Sequence, residues 1–257
     1  MGWTAGSWAV GEGPKATPEE ARRRFLESGR QLVDRVLARA EALGLAHRGN
    51  DALDVGCGPG RLSRALADRY LRVVGVDIAP AMIDLARTLT GLDDRCTFKL
   101  IDEPDLRAWP DDRFDLVLSA YVVQHLPFWL ASSYLTEMVR VTRPGGTLVV
   151  QFHGGIVPRI LGWLPQDLVA EFRRWLRRRG VRHRTTPLAN WDDYWIEPET
   201  VRRILTTGGA EVIAVEQEPD RDGRMVGYWA YARRTGPAPD RTRRQEIASP
   251  RSTASVP

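Results

Sequence analysis

The chain has almost no lysine. Of its 37 basic residues only Lys15 and Lys99 are not arginine. That bias fits a GC-rich coding sequence, and it lowers the weight of any single arginine cluster. Cysteine is nearly as scarce, with only Cys57 and Cys96 among 257 residues. Two cysteines do not staple a domain of this size, and their spacing matches no zinc site. Both read as reduced, buried thiols, and no metal is expected. No apolar run approaches the roughly 18 residues needed to cross a bilayer, so no membrane partner is expected. Met1 to Lys15 has no basic start followed by an apolar stretch, so no secretory leader is expected and the cytoplasm is the default compartment. No internal repeat is present, which argues against a solenoid. The formal net charge of +4 is mild and does not establish a nucleic-acid partner. What is there is a globular composition, 43% hydrophobic, enough for a full core.

Residues 1–17 are rich in Gly, Ala and Pro and read as a flexible N-terminus. Thr17-Pro18-Glu19-Glu20 is a helix start: a capping Thr, Pro at the first helical position, acids in the first turn. Leu26, Leu32, Val33, Val36 and Leu37 continue at helical spacing to Leu43, and Gly44 is a stop signal. Strands then alternate with helices. Strands are predicted at Ala52 to Val55, Arg72 to Val76, Cys96 to Ile101, Phe114 to Ser119 and Thr147 to Phe152. Helices are predicted at Arg61 to Tyr70, Pro80 to Thr88 and Trp129 to Val141. Such alternation implies right-handed crossovers and a parallel sheet covered on both faces. The rhythm breaks over 154–195, a Pro- and Trp-bearing stretch with a predicted helix at 166–179. A helix from Pro198 to Thr207 follows. Strands at Glu211 to Val215 and Met225 to Arg233 are close enough to pair antiparallel. Residues 235–257 read as a disordered tail. The domain itself spans 18–234, with 154–195 as a cap within it.

Asp54-Val55-Gly56-Cys57-Gly58-Pro59-Gly60 joins the first strand to the next helix. Glycines admit positive φ and close backbone approach, which suits a ligand. Asp77 ends the second strand, where an acid can accept both ribose hydroxyls of an adenosine. The glycines at 56, 58 and 60 do not fit the G-x-G-x-x-G spacing of a dinucleotide site. The leading Asp54 would repel a pyrophosphate. It suits an ammonium, directly or through water. Adenosine plus amino acid points to S-adenosylmethionine. The plainer reading is a simple strand–helix turn, which the register of Asp54 with Asp77 disfavours.

These residues carry a resemblance. Leu53 to Gly60 resembles the first motif of the class I S-adenosylmethionine-dependent methyltransferases of small-molecule type. Val73-Val74-Gly75-Val76-Asp77-Ile78-Ala79-Pro80-Ala81-Met82 resembles the second. Asp102 follows the third strand, Phe114-Asp115-Leu116-Val117 resembles the fourth strand, and Arg143 to Leu148 the turn into the fifth. The resemblance is close over residues 50–152 and loose over 197–233. It implies an α/β, Rossmann-like fold: a seven-stranded, mostly parallel sheet with the last strand antiparallel, an N-terminal helix and a cap insertion after the fifth strand. It implies S-adenosyl-L-methionine as cofactor. Gly56, Cys57 and Gly58 would line its methionine part, with Asp54 and Gly60 in the same loop. Ile78 and Met82 would pack on the adenine, or else serve the core. Asp102 and the backbone of Glu103 would bind the adenine edge.

Ala120-Tyr121-Val122-Val123-Gln124-His125-Leu126-Pro127 follows the fourth strand and should face the methyl donor. Ala120 would touch the cofactor, and Tyr121 and Gln124 the acceptor. His125 is the candidate base for an acceptor hydroxyl, or else a structural residue. The loop lacks the Asn/Asp-Pro-Pro-aromatic element common in enzymes acting on nucleic-acid bases or protein glutamine. Trp191 and Trp195, among acids in the cap, would hold a flat or cationic acceptor, or simply pack the cap. Seven arginines between 173 and 184 read first as a solvated face, second as a site for an anionic partner. The reading is an enzyme that methylates oxygen or nitrogen of a small-molecule acceptor. The alternatives are an RNA or protein methyltransferase, or a protein of this fold that binds the cofactor without methyl transfer. A homodimer is compatible with the sequence.

Overall fold

In a computed structural model, the chain is described at residues 17–45, 49–90, 94–101, 105–154, 194–218 and 226–236. Most of the cap, the N-terminus and the tail therefore lie outside the described residues, as does the predicted helix at 166–179.

Helix α1, Pro18–Ala42, starts as its sequence demands. Thr17 Oγ1 accepts from the Glu20 N–H, and Glu20 Oε2 accepts from the Thr17 N–H at 2.8 Å. Leu32, Val33, Val36, Leu37 and Ala40 form its buried stripe. Strands β1 (Asp51–Val55), β2 (Arg72–Asp77), β3 (Cys96–Leu100), β4 (Phe114–Ser119) and β5 (Thr142–Gly154) alternate with α2 (Arg61–Leu66), α3 (Pro80–Thr90) and α4 (Phe128–Val141). Helix α5 (Pro198–Thr207) and strands β6 (Ala210–Gln217) and β7 (Val226–Arg234) complete the domain.

Most elements shift by a residue or two at their ends, and two differ from their predicted extents by more. Helix α2 ends at Leu66 rather than Tyr70. Its last turn tightens into three-residue bonds, Asp68 N–H to Ala65 O and Arg69 N–H to Leu66 O. That tightening swings the Tyr70 ring into the core and aims the chain into β2. Strand β5 begins at Thr142 rather than Thr147. Its pairing with β4 runs across the Arg143-Pro144-Gly145-Gly146 turn, with a register shift between Phe114 and Leu116.

The strand order is β3-β2-β1-β4-β5-β7-β6. All neighbours are parallel except β7, which is antiparallel to both β5 and β6. The predicted antiparallel pair is there, and β7 slots between its partner and the parallel sheet. Helices cover both faces. One core cluster joins α1, α2 and α3 to the sheet, and the other holds α4 and α5.

The amino edge of the sheet is closed by charge. Asp51, buried, takes Arg72 at 2.6 Å and Arg113 at 2.9 Å. Those guanidiniums hold its carboxyl well below the usual carboxylate range. Asp115 accepts the N–H groups of Asn50 and Asp51 and pairs Arg143 at 2.7 Å. The carboxyl edge carries the candidate site.

Candidate active site

The glycine loop is stitched to the end of β2. The N–H groups of Gly56 and Cys57 both donate to Val76 O, at 2.8 and 2.9 Å. Asp77 is the second tie. Its Oδ2 accepts the Gly58 N–H at 2.9 Å, and its Oδ1 accepts the Ala79 N–H at 2.9 Å. An ionised carboxylate has about four acceptor positions, so each oxygen keeps one for a hydroxyl donor.

The two central glycines do different jobs. Both have positive φ, +74° at Gly56 and +51° at Gly58. A Cβ on Gly56 would lie 2.2 Å from Val122 Cγ2. That bare face is filled by the loop after β4. A Cβ on Gly58 would meet no protein atom within 4 Å. Among the described residues, the space on that side of Gly58 is open. Cys57 turns its side chain into the core, and burial pushes its thiol up, so only its backbone faces the open side of the loop.

Asp54 lies beneath the loop and is 1% exposed. Its Oδ2 accepts from the Ser63 hydroxyl at 2.6 Å. Burial pushes its carboxyl up to about 6, against the pull of Ser63 and Arg61. The folded chain therefore holds that proton more tightly than the unfolded chain, where Asp titrates near 3.9. Its contribution to stability is complete below the unfolded value and is lost as pH rises through about 6. Asp54→Asn removes this titration. In thermal melts of the ligand-free chain, the variant should gain on the wild type between pH 4 and pH 7. A difference independent of pH would contradict the buried assignment.

Ile78 is 60% exposed and Met82 half-buried. Core packing does not account for an isoleucine so open beside Asp77. Asp102, Glu103 and Trp191 lie outside the described residues.

The loop after β4 stands over the neighbouring strand end. Ala120 is buried. Tyr121 has φ +63°, an uncommon conformation for a bulky residue. Its N–H donates to Gln151 Oε1 at 3.0 Å, and Gln151 is buried in β5. The Tyr121 ring meets Trp229 edge-on, centroids 6.4 Å apart. Val123–His125 form one 3-10 turn, with the His125 N–H on Val122 O. His125 is half-buried. The carbonyl of Gln124 accepts the Tyr194 N–H, and that of His153 accepts the Ile196 N–H. Trp195 is thereby strung between the loop and the end of β5. Trp195, distant in sequence, thus shares this edge with Tyr121, Gln124 and His125.

Sequence reasoning missed Gln151 and Arg61. Gln151 is a polar residue in an otherwise apolar run, which is a signal. Its Nε2, and Oε1 of Gln124, are buried and pair with no protein group among the described residues. Arg61 directly follows the loop, and its guanidinium sits 5.9 Å from the Tyr121 ring centroid.

The open space at Gly58, the spare positions on Asp77 and the exposed Ile78 fit an adenosyl ligand with an amino-acid arm. Comparison with known proteins agrees. Residues 53–150 match a family described as a methyltransferase domain. The chain is similar to an ajmaline N-methyltransferase of Rauvolfia serpentina, 34% identical over 54% of this chain and 48% of that protein. It is also similar to a malonyl-[acyl-carrier protein] O-methyltransferase of Serratia marcescens, 36% identical over 42% of this chain and 40% of that protein. The matched region thus spans less than half the length of these relatives. In fold it is similar to a magnesium protoporphyrin IX methyltransferase of Synechocystis PCC 6803 with bound SAH. There the TM-score is 0.56 and the identity 21%, over 87% of this chain and 90% of the other. Over residues 53–150 the chain matches a methyltransferase-domain family, and its fold agrees with that of a solved methyltransferase.

Proposed function

We propose that the protein transfers a methyl group from S-adenosylmethionine to an oxygen or nitrogen of a small-molecule acceptor. The observation that supports this reading is the open space at Gly58 beside the Asp77 carboxylate, at the carboxyl edge of the sheet. When bound, the cofactor supplies an electrophilic methyl group on a sulfonium sulfur. Asp77 accepts the ribose hydroxyls. Gly56, Cys57, Gly58 and Gly60 hold the methionine arm by backbone, with the Asp54 charge beneath its ammonium. Ile78 and Met82 cover the adenine, and Asp102 and Glu103 take its edge. Ala120 abuts the methyl-bearing end.

Tyr121, Gln124, Trp191 and Trp195 position the acceptor, and the two unpaired amide atoms of Gln124 and Gln151 supply it with polar contacts. His125 takes the proton that a hydroxyl acceptor releases as its oxygen bonds to the methyl carbon. For an amine acceptor, alignment alone suffices. The names of the similar proteins include both N- and O-methyltransferases, which supports a choice between oxygen and nitrogen without deciding it. The arginine cluster over 173–184 lies outside the described residues, and the loop after β4 lacks the Asn/Asp-Pro-Pro-aromatic element.

The test is S-adenosylhomocysteine release from S-adenosylmethionine in the presence of fractionated extract. Turnover should follow the metabolite fraction. Turnover only with the RNA or protein fraction would overturn the small-molecule reading.

Donor binding should also depend on Asp77. Asp77→Ala strips the acceptor from two loop N–H groups and from the ribose. Calorimetry should show S-adenosylhomocysteine weakened roughly tenfold or more, as a lost partner in a partly buried site costs about 1–3 kcal/mol. Unchanged affinity in a folded variant would sink the assignment.

A further inference from the structure

Arg61 has no role in the site as described so far. It is the first residue of α2, directly after Gly60. Its guanidinium is held from two sides. Nη1 donates to Ser28 Oγ of α1 at 3.2 Å, and the Tyr121 ring lies beneath it at 5.9 Å. Tyr121 is itself fixed in its left-handed conformation by Gln151. These contacts place the cation between the glycine loop and the loop after β4.

The residue is half-buried, and burial pulls its pKa below the ordinary arginine value. Taking a guanidinium out of water is costly unless an anion compensates. Arg140, also buried, is compensated by Glu137 at 2.7 Å and Asp111 at 2.8 Å. Arg61 differs. Among the described residues, its only hydrogen-bond partner is a hydroxyl, and no carboxylate lies within ion-pair reach.

Asp54 presents the opposite case. It is a buried carboxylate whose hydrogen-bond partner is also a hydroxyl, Ser63. Asp54 and Arg61 bracket the glycine loop, one before it and one after. Each feels the other's charge through space, yet they make no ion pair. Two opposite charges, one before and one after the glycine loop, match a zwitterion. An α-amino-acid group carries an ammonium and a carboxylate on one carbon.

We infer that Arg61 is the counter-ion of the α-carboxylate of the bound methyl donor. The inference concerns the donor alone and stands whichever acceptor is methylated.

Calorimetry on the full chain tests it with three probes. S-adenosylhomocysteine carries the carboxylate and the ammonium. Its α-carboxamide keeps the ammonium only. 5′-Methylthioadenosine has neither. Arg61→Gln should weaken S-adenosylhomocysteine roughly tenfold or more, the scale of a lost charge-assisted bond, and leave 5′-methylthioadenosine within about twofold. Arg61→Lys should recover part of the loss. The wild type should favour S-adenosylhomocysteine over its carboxamide, and Arg61→Gln should not discriminate between them. Equal losses for S-adenosylhomocysteine and 5′-methylthioadenosine would make Arg61 a structural support and overturn the inference. So would unchanged S-adenosylhomocysteine affinity in a variant that melts like the wild type, which would leave the charge to the acceptor. Should Arg61→Gln fail to fold, Arg61→Lys and the wild-type preference against the carboxamide decide the matter. Equal wild-type affinities for acid and amide would overturn the inference outright.

Discussion

Gly58→Val is expected to abolish donor binding in a chain that stays folded. The backbone at Gly58 has φ +51°, and a Cβ there points into space that no protein atom occupies within 4 Å. Valine would fill that space with a branched side chain. Holding it in the left-handed region costs on the order of 1–2 kcal/mol. A domain stable by about 5–15 kcal/mol absorbs that. The ligand does not, because the volume it needs against the loop is gone. Gly56→Val makes the control. There the added atoms strike Val122, so stability should fall instead. The measurements are calorimetry with S-adenosylhomocysteine and a thermal melt for each variant. Ordinary binding by Gly58→Val would reduce the loop to a turn between strand and helix.

His125→Ala should lower turnover by roughly 10²–10⁴-fold with little change in donor affinity, if the residue removes a proton from a hydroxyl. The residue ends the 3-10 turn after β4, in the loop packed against the glycine loop through Val122. Its backbone is held by Val122, and the adjacent Gln124 carbonyl anchors the strand bearing Trp195. The ring is thus carried by a fixed turn at the carboxyl edge of the sheet. The wild-type rate should rise with pH, because only an unprotonated imidazole can accept the proton. A role confined to shaping the pocket gives a different pattern: His125→Asn keeps much of the rate and no titration appears. Single-turnover methyl transfer across pH, for wild type and both variants, separates the two. Near wild-type rates in both would leave alignment as the whole of the catalysis.

Local signals in the sequence were enough for the helix cap at Thr17, the alternation from β1 to β5, the glycine loop and the place of Asp77. Each depends on neighbours a few positions away: a capping box, a period of side chains, a turn that needs glycine. The same signals gave approximate ends. The tightening of α2 after Leu66 depends on where Tyr70 finds its cavity, and the early start of β5 depends on pairing with β4.

The sequence by itself carried the resemblance to the methyltransferases and their cofactor, and it set the glycine loop after β1 and Asp77 at the end of β2. Only the tertiary structure decided how β7 enters between β5 and β6, because strand order depends on contacts between segments far apart in the chain. It also divided the labour of the glycines, since Gly56 is crowded by a side chain 66 positions away and Gly58 by none. The burial of Asp54, the left-handed Tyr121 on Gln151 and the Arg61 charge, which meets no carboxylate among the described residues, have the same origin. Desolvation and charge pairing are set by what surrounds a group in space, and no local pattern of residues encodes that.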